Sequence, residues 1–334
     1  MKIKLLLIIC YAAMFSSAQE NNGLVNWLTI QEAQEKMKAS PKPILIDFYT
    51  DWCGWCKHMM KTTYSNAGLA SYINQNFYPV KFNAETKDTV EYQGKKYFPT
   101  SAAPKTPHEF AIKFLGGNLS YPSTVFITNN YEYNLLTQGF LEEKKIEPVL
   151  IFILENVYRR CSFDDFSERF NKAFYDTAYV KTPVKIYSVK EALELQKKKP
   201  KKLLVNIYTG FCNSCKVQNK TTFNDTSVAA YINKNFYLVN FDAESNDTIL
   251  FNNEKHFKQL VNGYPFNTFA FKITNGQFSL PSIAVLDEKL ALIDVQPMYV
   301  HPRYLKPVLH FFGSNSYKTK KWEEYYKEFQ GVKK

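Results

Sequence analysis

The sequence repeats itself at an offset of 159 residues, the separation of Cys53 and Cys212, and the register needs no gap. Between residues 70–85 and residues 229–244, eleven of sixteen aligned positions are identical. Three further positions keep their residue type: Cys53 on Cys212, Cys56 on Cys215 and Pro122 on Pro281. Because a repeat of this length is the size of a whole domain, the 334-residue chain is predicted to contain two copies of one domain.

The first 18 residues have the composition of a secretory signal peptide. Lys2 and Lys4 precede an apolar run from Leu5 to Phe15, and small residues follow at positions 16–18. This run is shorter than the roughly 18–20 apolar residues of a membrane span, and no later run in the sequence reaches that length. We therefore predict an exported protein, periplasmic or secreted, without stable membrane insertion.

The repeat also sets the expected domain boundaries. Domain 1 is predicted to cover residues 24–175 and domain 2 residues 183–334, with a linker over residues 176–182. Residues 160–182 are rich in Phe, Tyr, Asp and Arg rather than in Gly and Ser. This composition predicts a terminal helix of domain 1 and a short linker, not a flexible tether.

Each copy has the residue pattern of an α/β domain. Thr29 and Glu32 in the first copy and Ser188 and Glu191 in the second have the spacing of a capping box, which predicts the start of a helix in each. Apolar runs predict strands over residues 43–49, 77–83, 124–128 and 133–138, and helices from about residues 53, 67 and 142. Residues 85–117 carry charges and prolines and are predicted to form an insertion before Pro122, with a short helix over residues 108–115. The fold class is therefore predicted as two α/β domains in tandem, each a central mixed sheet flanked by helices.

Cys53 and Cys56 follow an apolar strand and precede a helix-compatible stretch. A cysteine in the first turn of a helix lies near unpaired backbone N–H groups, which favour its thiolate. Cys53 is therefore a candidate nucleophile, and Cys56, one turn later, is placed to resolve a mixed disulfide. The alternatives are an inert disulfide and half of a zinc site, which would need Cys212 and Cys215 nearby.

Asp47 lies within the apolar strand that leads to Cys53. A carboxyl group at this position is expected to be buried and to have a raised pKa, so that it can take the proton from Cys56. The alternative is a solvated residue at a sheet edge. Trp52 and Trp55 flank the pair and either offer a flat surface to an unfolded substrate or pack against the insertion.

Two segments resemble the thioredoxin superfamily. The segment from Ile44 to Lys57, ILIDFYTDWCGWCK, resembles its active-site segment, and residues 121–126, YPSTVF, resemble its cis-proline and following core strand. The resemblance implies that Pro122 is cis, that Tyr121 presents its backbone to a substrate strand and that Asp47 is the buried proton acceptor. The residues between the two cysteines are Gly-Trp here and Gly-Pro in thioredoxin, so the redox potential does not carry over.

The second copy keeps Cys212, Cys215 and Pro281 but changes the residues around them. Four substitutions separate it from the first copy: Asn206 for Asp47, Phe211 for Trp52, Asn213 for Gly54 and Ser214 for Trp55. Because Asn206 cannot accept a proton, resolution at the second pair is expected to be slower. Two hypotheses follow: electrons pass between the two pairs, or domain 2 grips substrates and its chemistry is vestigial.

The resemblance implies an exported thiol–disulfide oxidoreductase that acts on protein cysteines, without a metal or an organic cofactor. Its expected partners are the thiols and disulfides of exported client proteins and an unidentified redox partner. Reduction, oxidation and isomerisation use the same residues, so the direction does not follow from the sequence. The alternative function is a non-catalytic binding module or holdase for exported clients.

The net charge of +11 does not by itself indicate a nucleic-acid partner. The lysines are dispersed along the chain except in residues 197–202, and a surface loop explains that run. Because an exported protein rarely meets nucleic acid, no such partner is expected.

Cys161 aligns with Lys320 and is therefore not part of the repeated pattern. Once Cys10 is removed with the signal peptide, Cys161 is the cysteine of the mature chain that lies outside the two Cys-x-x-Cys pairs. It is interpreted either as a buried small residue or as a partner in an intermolecular disulfide.

Overall fold

The computed structural model describes residues 23–178, 184–261 and 263–331. The predicted signal peptide and residues 179–182 of the predicted linker lie outside these ranges, and the domain boundaries stay a prediction. In chain order, the first copy contains α1 (Ile30–Ala39), β1 (Ile44–Tyr49), α2 (Gly54–Lys61), α3 (Ala67–Asn76), β2 (Tyr78–Asn83), β3 (Val90–Tyr92), β4 (Lys95–Tyr97), α4 (Glu109–Leu115), β5 (Ser123–Ile127), β6 (Asn134–Gln138), α5 (Glu143–Leu154) and α6 (Phe163–Phe174). The second copy contains β7 (Ile186–Tyr187), α7 (Val189–Lys198), β8 (Lys202–Tyr208), α8 (Asn213–Val217) with a π-helical turn (Gln218–Thr222), α9 (Thr226–Asn235), β9 (Phe236–Asp242), β10 (Ile249–Phe251), β11 (Glu254–His256), β12 (Lys258–Val261), β13 (Tyr264–Asn267), α10 (Thr268–Ile273), β14 (Ser282–Leu286), β15 (Leu292–Pro297), α11 (Pro302–Gly313) and α12 (Trp322–Gly331).

The first helix of each copy begins with the predicted capping box. In α1, the N–H of Glu32 donates to Thr29 Oγ1 at 3.2 Å, and the N–H of Thr29 donates to the Glu32 carboxylate at 2.7 Å. Ser188 and Glu191 make the same two bonds at the start of α7, at 3.2 and 2.8 Å. Each box satisfies two backbone donors that a helix start leaves unpaired, so both predicted starts are confirmed.

The main sheet of each copy is mixed. In the first copy the strand order is β2-β1-β5-β6, with β1 parallel to β2 and β5 antiparallel to β1 and β6. In the second copy the order is β15-β14-β8-β9-β7, with β8 parallel to β9 and β14 antiparallel to β8 and β15. The predicted fold class, two α/β domains in tandem with helices flanking a mixed sheet, is confirmed.

Side chains of β1 alternate between two apolar clusters, as the two-residue period of a strand requires. Leu45 belongs to the cluster that also contains residues of α2, α3 and α5. Ile46 and Phe48 belong to the cluster that contains residues of α1, β2 and α4. Because apolar side chains project from both faces of the sheet, helices cover both faces. The end of β1 next to the first cysteine pair is therefore packed on two sides.

The predicted insertion contains the β3–β4 hairpin and α4. Its short helix, expected over residues 108–115, is observed as Glu109–Leu115, with His108 as its cap. The second copy has the matching hairpin β10–β11 and a further hairpin, β12–β13. Three side chains near this further hairpin are strongly exposed: Phe257, Leu260 and Tyr264.

Helix α6 packs between the two copies. Phe166 is buried in one cluster with Val217 and Tyr299 of the second copy, and the rings of Phe166 and Tyr299 have centroids 5.3 Å apart. Burying a phenylalanine of this kind contributes about 2–3 kcal/mol. Four polar contacts join the copies around α6: Arg160 with Gln296, Asp165 with Arg303, Arg169 with Asp225, and Lys220 with the carbonyl of Ala173. The predicted terminal helix is present, and it holds the copies against each other.

Candidate active site

The first cysteine pair lies at the start of α2, after the loop that leaves β1. Cys53 caps the helix and forms a disulfide with Cys56, whose N–H donates to Cys53 Sγ at 3.0 Å. Within the described residues, the N–H groups of Gly54 and Trp55 have no hydrogen-bond acceptor. When the disulfide is reduced, these donors lie where they stabilise a thiolate on Cys53.

Asp47 is fully buried on β1, opposite Lys81 of β2. Burial raises the pKa of Asp47 to about 7, while the charge of Lys81 and the hydroxyl of Tyr64 act in the opposite direction. Tyr64 donates a long hydrogen bond of 3.5 Å to Oδ1, and Oδ2 has no partner in the part of the chain that the structure describes. The predicted burial is confirmed, and the group is poised to change protonation near neutral pH.

Trp52 and Trp55 are 56% and 63% exposed. Trp52 Nε1 donates to both carboxylate oxygens of Glu85, at 3.0 and 3.1 Å, and its ring lies edge-on to Tyr121. Trp55 packs on Phe140. Trp52 therefore contacts the start of the insertion, and both rings keep more than half of their surface open beside the disulfide.

The Tyr121–Pro122 peptide bond is cis, as the resemblance implied. Pro122 precedes β5, whose Ser123 is paired with Phe48 at the end of β1 that leads to Cys53. Within the described ranges, the main chain of Tyr121 makes no hydrogen bond. Such an unpaired main chain is able to pair with an added peptide strand.

The second cysteine pair repeats the backbone position of the first. Cys212 caps α8 and forms a disulfide with Cys215, whose N–H donates to Cys212 Sγ at 3.1 Å. The Leu280–Pro281 bond before β14 is also cis. The repeat thus preserves the disulfide and the proline, and the differences lie in the side chains around them.

Asn206 occupies the position of Asp47 and is fully hydrogen-bonded. Its Nδ2 donates to Asn219 Oδ1 at 2.8 Å and to Asn240 Oδ1 at 3.1 Å, and its Oδ1 accepts from Gln218 Nε2 at 2.9 Å. Gln218 Oε1 in turn accepts the N–H of Val300 at 2.8 Å. The second copy therefore replaces a buried titratable carboxyl group with a closed network of neutral amides.

Glu155, the residue after α5 in the first copy, reaches the second cysteine pair. Its Oε1 accepts the N–H of Asn213 at 3.0 Å, and its Oε2 accepts the N–H of Ser214 at 2.7 Å. Oε2 also lies 3.8 Å from Cys212 Sγ. Burial raises the pKa of Glu155, while the hydrogen bonds from Ser214 and Asn213 and the charge of Lys216 act in the opposite direction.

Glu155 was not among the residues predicted from the sequence. Nothing in the apolar pattern of α5 marks this residue, since it follows the last turn of an otherwise buried helix. The signal that could have identified it is a difference between the copies: the residue of the second copy that aligns with Glu155 is Ser314, which is not acidic.

Cys161 is a free cysteine that is partly buried against the apolar cluster of the first copy. Burial raises the pKa of its thiol to about 12, and the charge of Asp165 acts in the same direction. At neutral pH it is therefore a thiol and not a nucleophilic thiolate, which agrees with its interpretation as a small buried residue.

Within the described ranges, no group of three or more His, Cys, Asp or Glu side chains is arranged to hold a metal ion. In the same ranges, none of the helices combines the length and the apolar character that crossing a membrane requires.

Two family models match the chain, one in each copy. The model Thioredox_DsbH, described as a protein family of unknown function, DUF255, matches residues 13–160. A model described as thioredoxin-like matches residues 185–272. The two matches support two related domains in tandem.

Curated relatives share short segments with the chain. It is 29% identical over 100 residues to protein disulfide-isomerase A3 of Gallus gallus, a match that covers 30% of this chain and 20% of that protein. It is 32% identical over 66 residues to the thiol:disulfide interchange protein DsbD of Vibrio vulnificus, which covers 18% of this chain and 11% of that protein. The chain spans between 10% and 53% of the length of the curated relatives that it matches.

Among solved structures, the chain is similar to a thioredoxin-fold protein from Helicobacter pylori. The two are 18% identical, and the match covers 48% of this chain and 90% of that one, with a TM-score of 0.31.

Proposed function

Because this chain is a thioredoxin-superfamily protein with two domains in tandem, we propose that it is a thiol–disulfide oxidoreductase that acts on protein cysteines through Cys53 and Cys56. The observation that carries this proposal is the pairing of a disulfide at the start of α2, beside backbone N–H groups without an acceptor among the described residues, with the buried carboxyl group of Asp47, whose pKa is raised to about 7. A disulfide that served stability alone would need neither the unpaired N–H groups nor the buried acid.

In the proposed exchange, the thiolate of reduced Cys53 attacks one sulfur of a substrate disulfide, and the other substrate sulfur leaves as a thiolate. Cys56 then loses its proton to Asp47 and attacks Cys53 Sγ. This step forms the Cys53–Cys56 disulfide and releases the second substrate sulfur. Two electrons pass from the pair to the substrate, and the same steps in reverse oxidise a substrate dithiol.

Substrate binding is assigned to the surface around the disulfide. The unpaired main chain of Tyr121, next to Pro122, is proposed to pair with an extended substrate segment. The exposed rings of Trp52 and Trp55 are proposed to contact the apolar side chains of that segment. The partners are thus disulfides or thiols of unfolded or extended proteins.

The exchange needs only sulfur and proton transfers, so the proposal includes no metal and no organic cofactor. It also includes export by the signal peptide over residues 1–18, clients that are exported proteins, and a separate redox partner that restores the state of the pair. The direction is left to the potential of the Cys53–Cys56 pair, because that value decides whether the pair reduces or oxidises its substrates.

The test is the reduction of insulin by dithiothreitol, followed by turbidity, together with the refolding of scrambled ribonuclease. The mature protein is expected to accelerate at least one of these reactions, and Cys53→Ser is expected to abolish the acceleration. Cys56→Ser is expected to retain a mixed disulfide with the substrate, visible on a non-reducing gel. Wild-type protein without either activity, or full activity in Cys53→Ser, would contradict the proposal.

A binding role without chemistry is favoured by one observation in the second copy. The β12–β13 hairpin exposes Leu260 by 75% and Tyr264 by 64%, and the first copy has no matching hairpin in the part of the chain that the structure describes. A holdase would suppress the aggregation of reduced, unfolded proteins equally well after Cys53→Ser. If that variant keeps aggregation suppression and the wild type shows no disulfide exchange, the binding role replaces the catalytic one.

A further inference from the structure

The carboxylate of Glu155 lies at the place where the second pair would develop negative charge. Its two oxygens accept the N–H groups of Asn213 and Ser214, the first two residues of α8, and Oε2 lies 3.8 Å from Cys212 Sγ. In the first copy, the corresponding N–H groups belong to Gly54 and Trp55 and have no acceptor among the described residues. The same backbone donors are therefore open in one copy and occupied in the other.

The occupant comes from the other copy. Glu155 follows α5 of the first copy, and both α5 and α6 contact α8. Ser214 is fully buried at this contact, whereas Trp55 at the aligned position is 63% exposed. The first copy thus covers the residue of the second copy, Ser214, whose counterpart in the first copy, Trp55, is exposed.

Two physical effects of this contact oppose a thiolate on Cys212. The donors that would stabilise the thiolate are already used by Glu155, and a negative charge 3.8 Å away repels a second one. Oxidation of the pair removes this repulsion, since a disulfide carries no charge.

We propose that Glu155 is a positioning residue that domain 1 supplies to domain 2, and that its carboxylate keeps Cys212 from becoming a reactive thiolate and so holds the Cys212–Cys215 pair as a disulfide. The inference does not depend on the proposed function, because it concerns the second pair and is measured without a protein substrate.

The charged and titratable groups around this contact come from several elements. Lys216 of α8 and Tyr72 of α3 interact with Glu155 electrostatically. Several other charged groups of α5, α6 and the π-helical turn contact partners of their own: Glu147 contacts Tyr175, Lys172 contacts Glu168, Arg169 contacts Asp225 and Lys220 contacts the Ala173 carbonyl. Glu155 is the acidic group whose carboxylate lies 3.8 Å from Cys212 Sγ.

The redox step that is tested is the reduction of the second pair by dithiothreitol. The reagent passes two electrons to the Cys212–Cys215 bond and closes into its own cyclic disulfide, and its two protons end on the cysteine thiols. Above the pKa of Cys212, the proton of that thiol is released to solvent. The pKa of Cys212 is thus the quantity that the charge of Glu155 should change.

The experiment uses the full mature chain with Cys53→Ser and Cys56→Ser, so that the second pair is measured alone. After reduction, the rate of alkylation by iodoacetamide is followed against pH, and peptide mass spectrometry separates Cys212 from Cys161 and Cys215. In the Glu155→Gln variant, the midpoint of the Cys212 profile is expected to fall by about one pH unit, a tenfold change in acidity constant. A role that is only steric would change the rate at every pH and leave the midpoint in place.

Two further variants provide controls. Glu142→Gln removes the same charge from the exposed start of the same helix and is expected to leave the midpoint unchanged. Glu155→Asp keeps the charge and is expected to give a midpoint between those of the wild type and Glu155→Gln. An unchanged midpoint in Glu155→Gln, or an equal shift in Glu142→Gln, would overturn the proposal.

A measurement on the unsubstituted mature chain keeps the proposal testable if Glu155→Gln does not fold. The alkylation profiles of Cys53 and Cys212 are then compared within one protein, and the midpoint of Cys212 is expected to be the higher by at least one pH unit, or about tenfold. A midpoint of Cys212 at or below that of Cys53 would contradict the role of Glu155.

Discussion

The two cysteine pairs have the same backbone setting and opposite surroundings. Around the first pair, one oxygen of the buried Asp47 carboxyl group and the N–H groups of Gly54 and Trp55 have no partner among the described residues. Around the second pair, Asn206 lies in a closed amide network and Glu155 occupies the corresponding donors. A disulfide at a helix start is thus common to both copies, and the side chains around it decide whether the pair is able to react.

The difference also shows how a duplicated domain can be put to another use. The first copy keeps its open site, and its terminal helices α5 and α6 pack on α8 of the second copy. The surface that is proposed to bind substrate in one copy is therefore a contact between the copies in the other. This arrangement favours the hypothesis that domain 2 has lost its chemistry over the hypothesis that electrons pass between the two pairs.

The largest effect is expected from the nucleophile. Cys53→Ser should lower the rate of insulin reduction to the uncatalysed background, a loss of at least about a thousandfold, because the remaining thiol, Cys56, lacks the helix-capping position that favours the thiolate of Cys53. The matched change in the second copy, Cys212→Ser, should leave most of the rate. Equal losses in the two variants would show that both pairs take part, which would contradict the proposed difference between them.

The next largest effect is expected from Asp47→Asn, which gives the first copy the residue of the second. The resolving step should slow by about a hundredfold, the low end of what general acid–base catalysis supplies. In the wild type, this step should slow as the pH falls through about 7, because Asp47 becomes protonated. Stopped-flow measurement of mixed-disulfide decay between pH 5 and 9 reports both changes; a wild-type profile without this dependence would remove Asp47 from the mechanism.

The same substitution makes a prediction about stability. A carboxyl group whose pKa is raised by burial stabilises the folded state below its unfolded pKa near 3.8, and this contribution is lost as the pH rises to about 7. The loss is on the order of 4 kcal/mol by linkage. Asp47→Asn should therefore weaken the pH dependence of the free energy of unfolding between pH 4 and 7. Urea titrations at several pH values test this. If the free energy of unfolding depends on pH equally in the wild type and in Asp47→Asn, burial does not raise the pKa of Asp47.

The reciprocal change, Asn206→Asp, tests the amide network. The new carboxylate would lose the two bonds that Asn206 donates to Asn219 and Asn240, and it would be buried among acceptors. We expect a loss of about 2–4 kcal/mol in the free energy of unfolding at pH 7. The exposed Asn252→Asp is the control and should change the stability by less than about 0.5 kcal/mol. Equal stability of the two variants would show that the network is not closed.

The smallest effect is expected from Trp52→Phe, which again introduces the residue of the second copy. The variant loses the hydrogen bonds from Nε1 to Glu85 but keeps an exposed aromatic ring. The KM for a protein substrate should rise about two- to fivefold, because a ring without these bonds must be ordered when the substrate binds, with stability nearly unchanged. A loss of stability above about 1.5 kcal/mol would show that Trp52 belongs to the packing of the insertion and not to the substrate surface.

Much of the fold could be predicted from the sequence because its signals are local. The Thr29–Glu32 capping box, the apolar run of β1 and the repeat register each depend on residues near one another or on simple alignment, and the observed elements begin within a few residues of the predicted ones. The burial of Asp47 could be predicted for the same reason, since its strand neighbours are apolar.

The contact between the copies could not be predicted in this way. The burial of Phe166 against Tyr299 and the position of Glu155 depend on how two complete domains pack, and no spacing within either copy encodes that packing. The amide network around Asn206 of β8 was missed because its other members lie on two further elements: Gln218 and Asn219 in the π-helical turn, and Asn240 on β9. What the sequence did show was that the second copy had lost a proton acceptor.

The most direct test of the account is to measure both redox equilibria in one wild-type mature chain. The protein is equilibrated at pH 7 in a series of dithiothreitol and glutathione buffers, quenched by alkylation, and each pair is quantified by peptide mass spectrometry. The account predicts that Cys53–Cys56 is reduced under milder conditions than Cys212–Cys215, with equilibrium constants at least about tenfold apart, or about 30 mV. Reduction of both pairs together, or of the second pair first, would contradict it.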